Sequence, residues 1–279
     1  MQVISFVNMK GGVAKTTLAV NVADCLVRRH GARVLIADID PQFNATQTLI
    51  SGPDYKTRLH AGGHTIVQVF DDLSRPLAST VSGATVMQPT SIDQIKPWVV
   101  RDNLDLLPGH LELHRLEMGG GQGRENRLRR YIEVLRDREI YDYVVIDTPP
   151  TPSIWMSSAL IASEHYVVPV KPEPLSTTGI DLLRAVIARV EENYALSLSC
   201  AGVVLTLAEP NTLVYHQTLE SLDGNPFWRG RLFRNVLPKR TMVARMQGEQ
   251  RLILDANEAE LSLALSGITN ELREVLQND

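Results

Sequence analysis

The chain has 279 residues, 44% of them hydrophobic and 22% charged, with a net charge of −4. That is a globular composition able to bury a large core, and it excludes a polycation, so any contact with nucleic acid or an anionic membrane must come from a local patch. Two isolated cysteines, Cys25 and Cys200, argue against a disulfide framework or metal cluster. The N-terminal MQVISFVN lacks a secretory pattern and no apolar run reaches the roughly 18–20 residues of a membrane span, so a cytoplasmic location is expected.

In chain order, residues 3–7 (VISFV) read as a strand, 15–29 as a helix and 33–38 (RVLIAD) as a second strand. Residues 51–101 hold clusters of Gly, Pro, Ser and Thr with one short helix at 66–73, and read as a variable elaboration over a sheet. Further strands fit 104–107 (LDLL), 143–147 (YVVID), 165–170 (HYVVPV) and 201–205 (AGVVL); helices fit 124–138, 153–162, 177–193, 212–222 and 256–276. MGGGQGREN (118–126) reads as a flexible lead into a helix. Several strands are apolar on both faces, as in a buried parallel sheet. Strand–helix alternation predicts an α/β fold, a doubly wound, mostly parallel sheet with helices on both faces, in one domain over residues 1–279.

The stretch VNMKGGVAKTTLAV, from Val7, joins the first strand to the first helix, the context of a phosphate-binding loop. It departs from the common G-x-x-x-x-G-K-[ST] pattern: Met9 and Ala14 stand where glycines are usual, and an extra Lys10 precedes Gly11–Gly12. The two glycines let the backbone curl so that N–H groups, Val13 among them, face an anion. Lys15 can reach terminal phosphates, Thr16 sets a hydroxyl where Mg²⁺ would sit, and Thr17 can bond another phosphate. Ala14 is small enough for close approach, provided its φ stays negative.

The second strand runs into IADIDPQFNAT, with Asp38 and Asp40 at its C-terminal end, where open α/β sheets bind ligands. A helix cap would explain one aspartate, the pair less easily. Asp147 ends YDYVVIDTPP, the placement of an acid that holds Mg²⁺.

Taken together, KGGVAKTT, DIDPQFNAT, VVIDTPP and VVPVKPEPLSTTGID resemble the ParA/MinD group of deviant Walker A ATPases, and the ParA (Soj-like) branch in particular. The resemblance runs from Met1 almost to the C-terminus and is weakest over 51–101. It implies ATP and Mg²⁺ as cofactors. It implies that Lys10 contacts phosphates across a nucleotide-sandwich homodimer, and that Lys15 does so within its own chain. It implies Thr16 and Asp147 at the metal, Asp38 supporting the metal and switch region, and Asp40 orienting the attacking water. It also implies adenine contacts from the strand end GVVLT and near Pro238, although LAEPNT stands where relatives often carry an arginine.

ParA relatives bind non-specific DNA as ATP dimers, associate with the nucleoid and answer to a ParB-like or other cargo adaptor. MinD relatives use a basic amphipathic C-terminal helix on membranes. Here Leu261, Leu265, Ile268, Leu272 and Val275 fall at helical spacing beside an acid-rich face, which reads as a docked core helix and not a membrane anchor. The most basic stretch is 227–251, with Arg229, Arg231, Arg234, Lys239, Arg240, Arg245 and Arg251 against Glu249, a candidate DNA surface unless it is a solvated face. Arg184 and Arg189 are weaker candidates. The pairs His60/His64 and His110/His114 read as surface histidines, and Cys25 as packed. The expected function is a partner-stimulated partition ATPase for plasmid or chromosome segregation. The alternatives are the same mechanism moving a protein cargo, or a metabolic ATP-dependent ligase.

Overall fold

The computed structural model describes residues 1–71, 90–119, 123–174 and 176–278. The strands are β1 (Gln2–Phe6), β2 (Val34–Asp38), β3 (Trp98–Arg101), β4 (Leu104–Leu107), β5 (Tyr143–Asp147), β6 (His165–Val170), β7 (Ser199–Ala208) and β8 (Leu237–Pro238). They form one sheet in the order β3-β4-β2-β5-β1-β6-β7-β8, parallel except for β3, which runs antiparallel to β4. The strands at the centre are apolar because both of their faces are covered: β2 is buried at every residue, and so is β6.

The helices are α1 (Lys15–His30), α2 (Asn44–Leu49), α3 (Gly52–His60), α4 (Ile66–Phe70), α5 (Glu112–Met118), α6 (Arg127–Asp137), α7 (Ile154–Ala162), α8 (Ser176–Tyr194), α9 (Leu213–Gly224), α10 (Thr241–Gly248) and α11 (Ala259–Asn278). α1 and α11 share one core layer with Ile4, Phe6 and Ile36 of the sheet. α4, α6 and α7 cover the opposite face, over Val3, Leu35 and Val144. The pattern behind this is plain in α6, where Leu128, Tyr131, Ile132 and Leu135 repeat at helical spacing and are all buried. In α11, Leu261, Leu265, Ile268 and Leu272 are buried and Val275 packs against the same layer, so the C-terminal helix docks on the core as expected.

The expectation of an elaboration over 51–101 meets a specific form. α3 is capped by the Ser51 hydroxyl and α4 by a capping box at Thr65 and Gln68. β3 then extends the sheet by one antiparallel edge strand, which the sequence reading does not anticipate. The last residues of the expected 66–73 helix, and part of 118–126, lie outside the described residues.

Candidate functional site

Strand register sets the level of the site. Phe6 of β1 and Asp38 of β2 both pair with Asp147 of β5, so three neighbouring strands end together and the loop after β1 leaves beside two fully buried carboxylates. Asn8 ties down the start of that loop. Its amide nitrogen donates to the Pro169 carbonyl at 2.7 Å, and its side-chain oxygen accepts from the Lys10 N–H at 2.8 Å. On the far side the Thr206 hydroxyl donates to the Val13 carbonyl at 2.7 Å. Thr206 belongs to the strand end GVVLT, for which the resemblance implies adenine contact, and its hydroxyl braces the loop.

Gly12 takes φ +73° and Ala14 takes φ +56°. The left-handed conformation at Ala14 corrects the expectation that its φ stays negative. It is the conformation for which glycine is the default, and an alanine holds it at a cost of about 1–2 kcal/mol. Ala14 precedes α1 with no side-chain cap, and the first turn carries no acid. The N–H groups of that turn therefore face the cavity without a partner from a capping side chain, which suits an anion.

Lys15 is buried, its ammonium donating to the Asn8 carbonyl at 3.3 Å. Burial pulls its pKa below the ordinary value, against the opposing pull of Asp147 and Asp40. The Thr16 hydroxyl donates to Asp147 Oδ2 at 2.7 Å, while Asp147 Oδ1 is buried with no hydrogen-bond partner. Burial pushes the Asp147 carboxyl up to about 7, with Lys15 and Thr16 pulling the other way.

Asp38 is engaged within the protein. Its Oδ2 accepts from the Thr46 N–H at 2.8 Å and hydroxyl at 2.7 Å, and its Oδ1 from the Asp40 N–H at 3.3 Å. Burial, then the nearby Asp147, raise its pKa well above the carboxylate range. Gly109 closes over this corner. A Cβ there would meet Phe43 Cβ at 2.6 Å and Asp38 Cγ at 3.0 Å, so the position requires glycine. Asp40 lines the cavity, and its Oδ1 accepts from the Gln42 N–H at 2.9 Å. Among the described residues, no three His, Cys, Asp or Glu side chains gather to hold a metal ion by themselves.

The cavity above the loop has a volume of about 790 Å³. Residues 11–17 form its floor, α2 and Tyr55 of α3 one wall, and Gln247, Gly248 and Gln250 at the end of α10 another. Motif reading finds the floor and Asp40 but misses the walls. Pro238, expected at the adenine, is not on the cavity wall: it sits in β8, paired beside β7.

The chain's residues 1–200 match the family described as AAA domain. Over 241 residues it is 33% identical to the sporulation initiation inhibitor protein Soj of Bacillus subtilis, covering 85% of this chain and 84% of that protein. The chain belongs to the ParA/Soj-like branch of the ParA/MinD family. It is also 28% identical over 280 residues to the chromosome partitioning protein ParA of Caulobacter vibrioides, covering 97% and 95% of the two chains. A plasmid partition protein from Borrelia burgdorferi, crystallised with AMPPNP, shares the fold at TM-score 0.73 and 20% identity, covering 99% and 98%.

Within this ParA-like frame, Lys10 and Lys15 part company. Lys15 lines the cavity; Lys10 does not, and its ammonium lies 2.5 Å from Glu173 Oε2 in the segment after β6. Lys171 pairs with the same carboxylate, and the two lysines hold Glu173 down to about 2. The basic run is less free than its composition suggests. Lys239 pairs with Glu209 at 3.1 Å, Arg240 with Glu258 at 2.9 Å and Glu260 at 2.7 Å, and Arg251 with Glu249 at 3.6 Å. Arg229, Arg231, Arg234 and Arg245 are exposed, with no acid paired to them among the described residues. Arg231 and Arg184 both lie over the Phe227 ring, at 4.6 and 4.1 Å. His110 is half-buried and stacks on Tyr55, which corrects its reading as a surface histidine. No helix among the described residues is long and apolar enough to cross a membrane.

Proposed function

We propose that this chain is a ParA-type partition ATPase that binds ATP and Mg²⁺ on the loop 10–17, dimerises around the nucleotide and, as a dimer, binds DNA without sequence preference. The observation that carries the reading is the divergence of the two loop lysines, one buried in its own cavity and one held outside it. Lys15 supplies positive charge to the phosphates from within, and the curled backbone of Gly11–Ala14 supplies N–H donors. Lys10, held outside that cavity, is the lysine we assign to the phosphates of a second copy. Thr16 and the unpartnered oxygen of Asp147 fit a magnesium ion whose remaining ligands come from phosphate and water. When bound, that ion neutralises charge on the transferring phosphoryl group. Asp38, with both oxygens engaged, positions α2 and the Asp40 backbone. Asp40 holds and orients water for attack. A cargo-bound adaptor, ParB-like where the cargo is DNA, stimulates a slow basal rate.

The test is non-specific DNA binding measured with ATP, ADP and no nucleotide at fixed salt. ATP-dependent binding supports the reading; binding indifferent to nucleotide, or absent throughout, defeats it.

A further inference from the structure

The Tyr55 hydroxyl reaches the Asp38 carboxylate through three hydrogen bonds that run in one direction. Tyr55, on α3, donates to the Gly109 carbonyl at 2.9 Å. The Gly109 N–H donates to the Thr46 hydroxyl at 2.8 Å, and that hydroxyl donates to Asp38 Oδ2 at 2.7 Å. Asp38 Oδ1 accepts in turn from the Asp40 N–H at 3.3 Å. Gly109, Thr46 and Asp38 are buried, so the middle of this relay is shut off from solvent. Hydrogen bonds in such a place polarise one another, and a missing member is costly. The Thr46 hydroxyl has one proton, committed to Asp38, so it can only accept from Gly109. Burial, then the nearby Asp38, pushes the Tyr55 hydroxyl up to about 12, so it stays a donor at neutral pH.

The Tyr55 ring meets the same turn a second time. It stacks on Phe43, with centroids 5.8 Å apart and planes 21° apart. Phe43 is held at φ +42°, a conformation that persists for a bulky residue only where its surroundings enforce it. Its N–H donates to the Asp40 carbonyl at 2.8 Å. Both backbone polar groups of Asp40 are therefore held by residues that Tyr55 braces, the N–H through Asp38 and the carbonyl through Phe43. Tyr55 lines the same cavity as Asp40.

We propose that Tyr55 is a positioning residue for ATP hydrolysis. It fixes the Asp40 turn, through Gly109, Thr46 and Asp38 on one side and through Phe43 on the other, so that the Asp40 carboxylate keeps its aim at the attacking water. This rests on the reading of Asp40 as the residue that orients that water. Tyr55 acts on the chemical step and not on the affinity for ATP, because the groups it braces hold Asp40 and not the loop 10–17.

The experiment measures phosphate release and ATP binding by the full chain with Mg²⁺, in the wild type, Tyr55→Phe, Thr46→Val, their double variant and Thr46→Ser. Tyr55→Phe keeps the ring and loses the hydroxyl. Its kcat is expected to fall about tenfold, while KM for ATP and the ATP bound per chain stay within about twofold of wild type. Thr46→Val is expected to fall at least as far, and Thr46→Ser, which keeps the hydroxyl, to retain the wild-type rate. The double variant is then no slower than Thr46→Val alone, because both changes break one relay. If Thr46→Val does not fold, Tyr55→Leu, which removes the ring as well, takes its place and is expected to be slower than Tyr55→Phe at unchanged KM. An unchanged kcat in Tyr55→Phe, a rise in KM in its place, or two losses that multiply in the double variant overturns the inference and leaves the ATPase standing. A wild type that hydrolyses ATP no faster than Asp40→Ala overturns the reading of Asp40 and the inference with it.

Discussion

The Thr16 hydroxyl and the Asp147 carboxylate meet at 2.7 Å across the C-terminal edge of the sheet, and the second oxygen of Asp147 is buried without a partner. An orphaned carboxylate oxygen in a fully buried strand end is costly, because the charged form has lost its water and that oxygen has gained no donor in return. Proteins keep such groups where a ligand completes them.

The cost has a pH signature. The Asp147 pKa is raised in the folded chain to about 7. A raised carboxyl contributes stability that is fully present below its unfolded value near 3.8 and is lost as pH rises through about 7. The nucleotide-free protein should therefore lose stability between about pH 4 and 7. Asp147→Asn should make that decline shallower, leaving the part owed to buried Asp38, and be more stable at pH 8 by on the order of 2 kcal/mol. Chemical denaturation across pH, without nucleotide, measures it. Magnesium and ATP should stabilise the wild type and leave the variant almost unmoved. A variant less stable at pH 8 would mean that Asp147 is satisfied in some other way.

Ala14 gives a second stability prediction. Its φ of +56° disfavours any residue with a Cβ. Ala14→Gly relieves that strain but adds freedom to the unfolded chain, so the two effects nearly cancel and the change should stay within about 1 kcal/mol. Ala14→Val adds a β-branch in the same conformation and should destabilise by about 2 kcal/mol or more. Thermal unfolding of both variants separates them; equal midpoints would argue that the loop relaxes out of the left-handed region.

Much of the site is legible in the sequence because its residues sit beside elements with strong local signals. Loop 10–17 follows a Val/Ile-rich strand and opens a helix, and Asp38 and Asp147 end apolar runs. The alternation of strands and helices carries the sheet as well, including docking of α11 through Leu261, Leu265, Ile268 and Leu272. What is not legible is held by distance in sequence. Gln247 reaches Thr17 across 230 residues, and Thr206 reaches Val13 across 193. β3 and the two-residue β8 are too short for a period to show, and their pairing is decided by the neighbouring strand. The sign of φ at Ala14 has no signal in an alanine. Nor does charge spacing reveal that Glu209, Glu258 and Glu260 neutralise part of the basic run.

That neutralisation divides the candidate DNA surface. Arg229, Arg231 and Arg234 should carry more of any phosphate contact than Lys239 and Arg240. Replacing the three arginines by alanine should weaken binding by the ATP-bound protein and reduce the slope of log affinity against log salt by up to roughly 0.9 per arginine. Arg240→Ala should instead cost little stability through its solvent-screened ion pairs and change the slope little. Glu209→Gln should release Lys239 and strengthen binding. Fluorescence anisotropy over a salt series reads all of these. Equal slopes for the triple variant and the wild type would move the DNA surface elsewhere.

Glu173 bears on the dimer itself. It pairs with Lys10 at 2.5 Å and also with Lys171, so the lysine proposed to reach a second copy is engaged within its own chain. Both pairs are partly exposed and weak, worth under about 1 kcal/mol each. Glu173→Gln should then favour the ATP dimer by about two- to fivefold in sedimentation equilibrium, while Lys10→Ala should abolish it without loss of ATP binding. The Glu173 carboxyl is held at about 2, below its ordinary 4.5. A depressed carboxyl contributes stability that is present above the unfolded value and lost as pH falls through the folded one. The wild type should therefore lose this contribution between about pH 4.5 and 2, and Glu173→Gln should show a shallower acid limb over that window. A variant that dimerises less readily than the wild type would show that Glu173 supports the dimer instead of restraining Lys10.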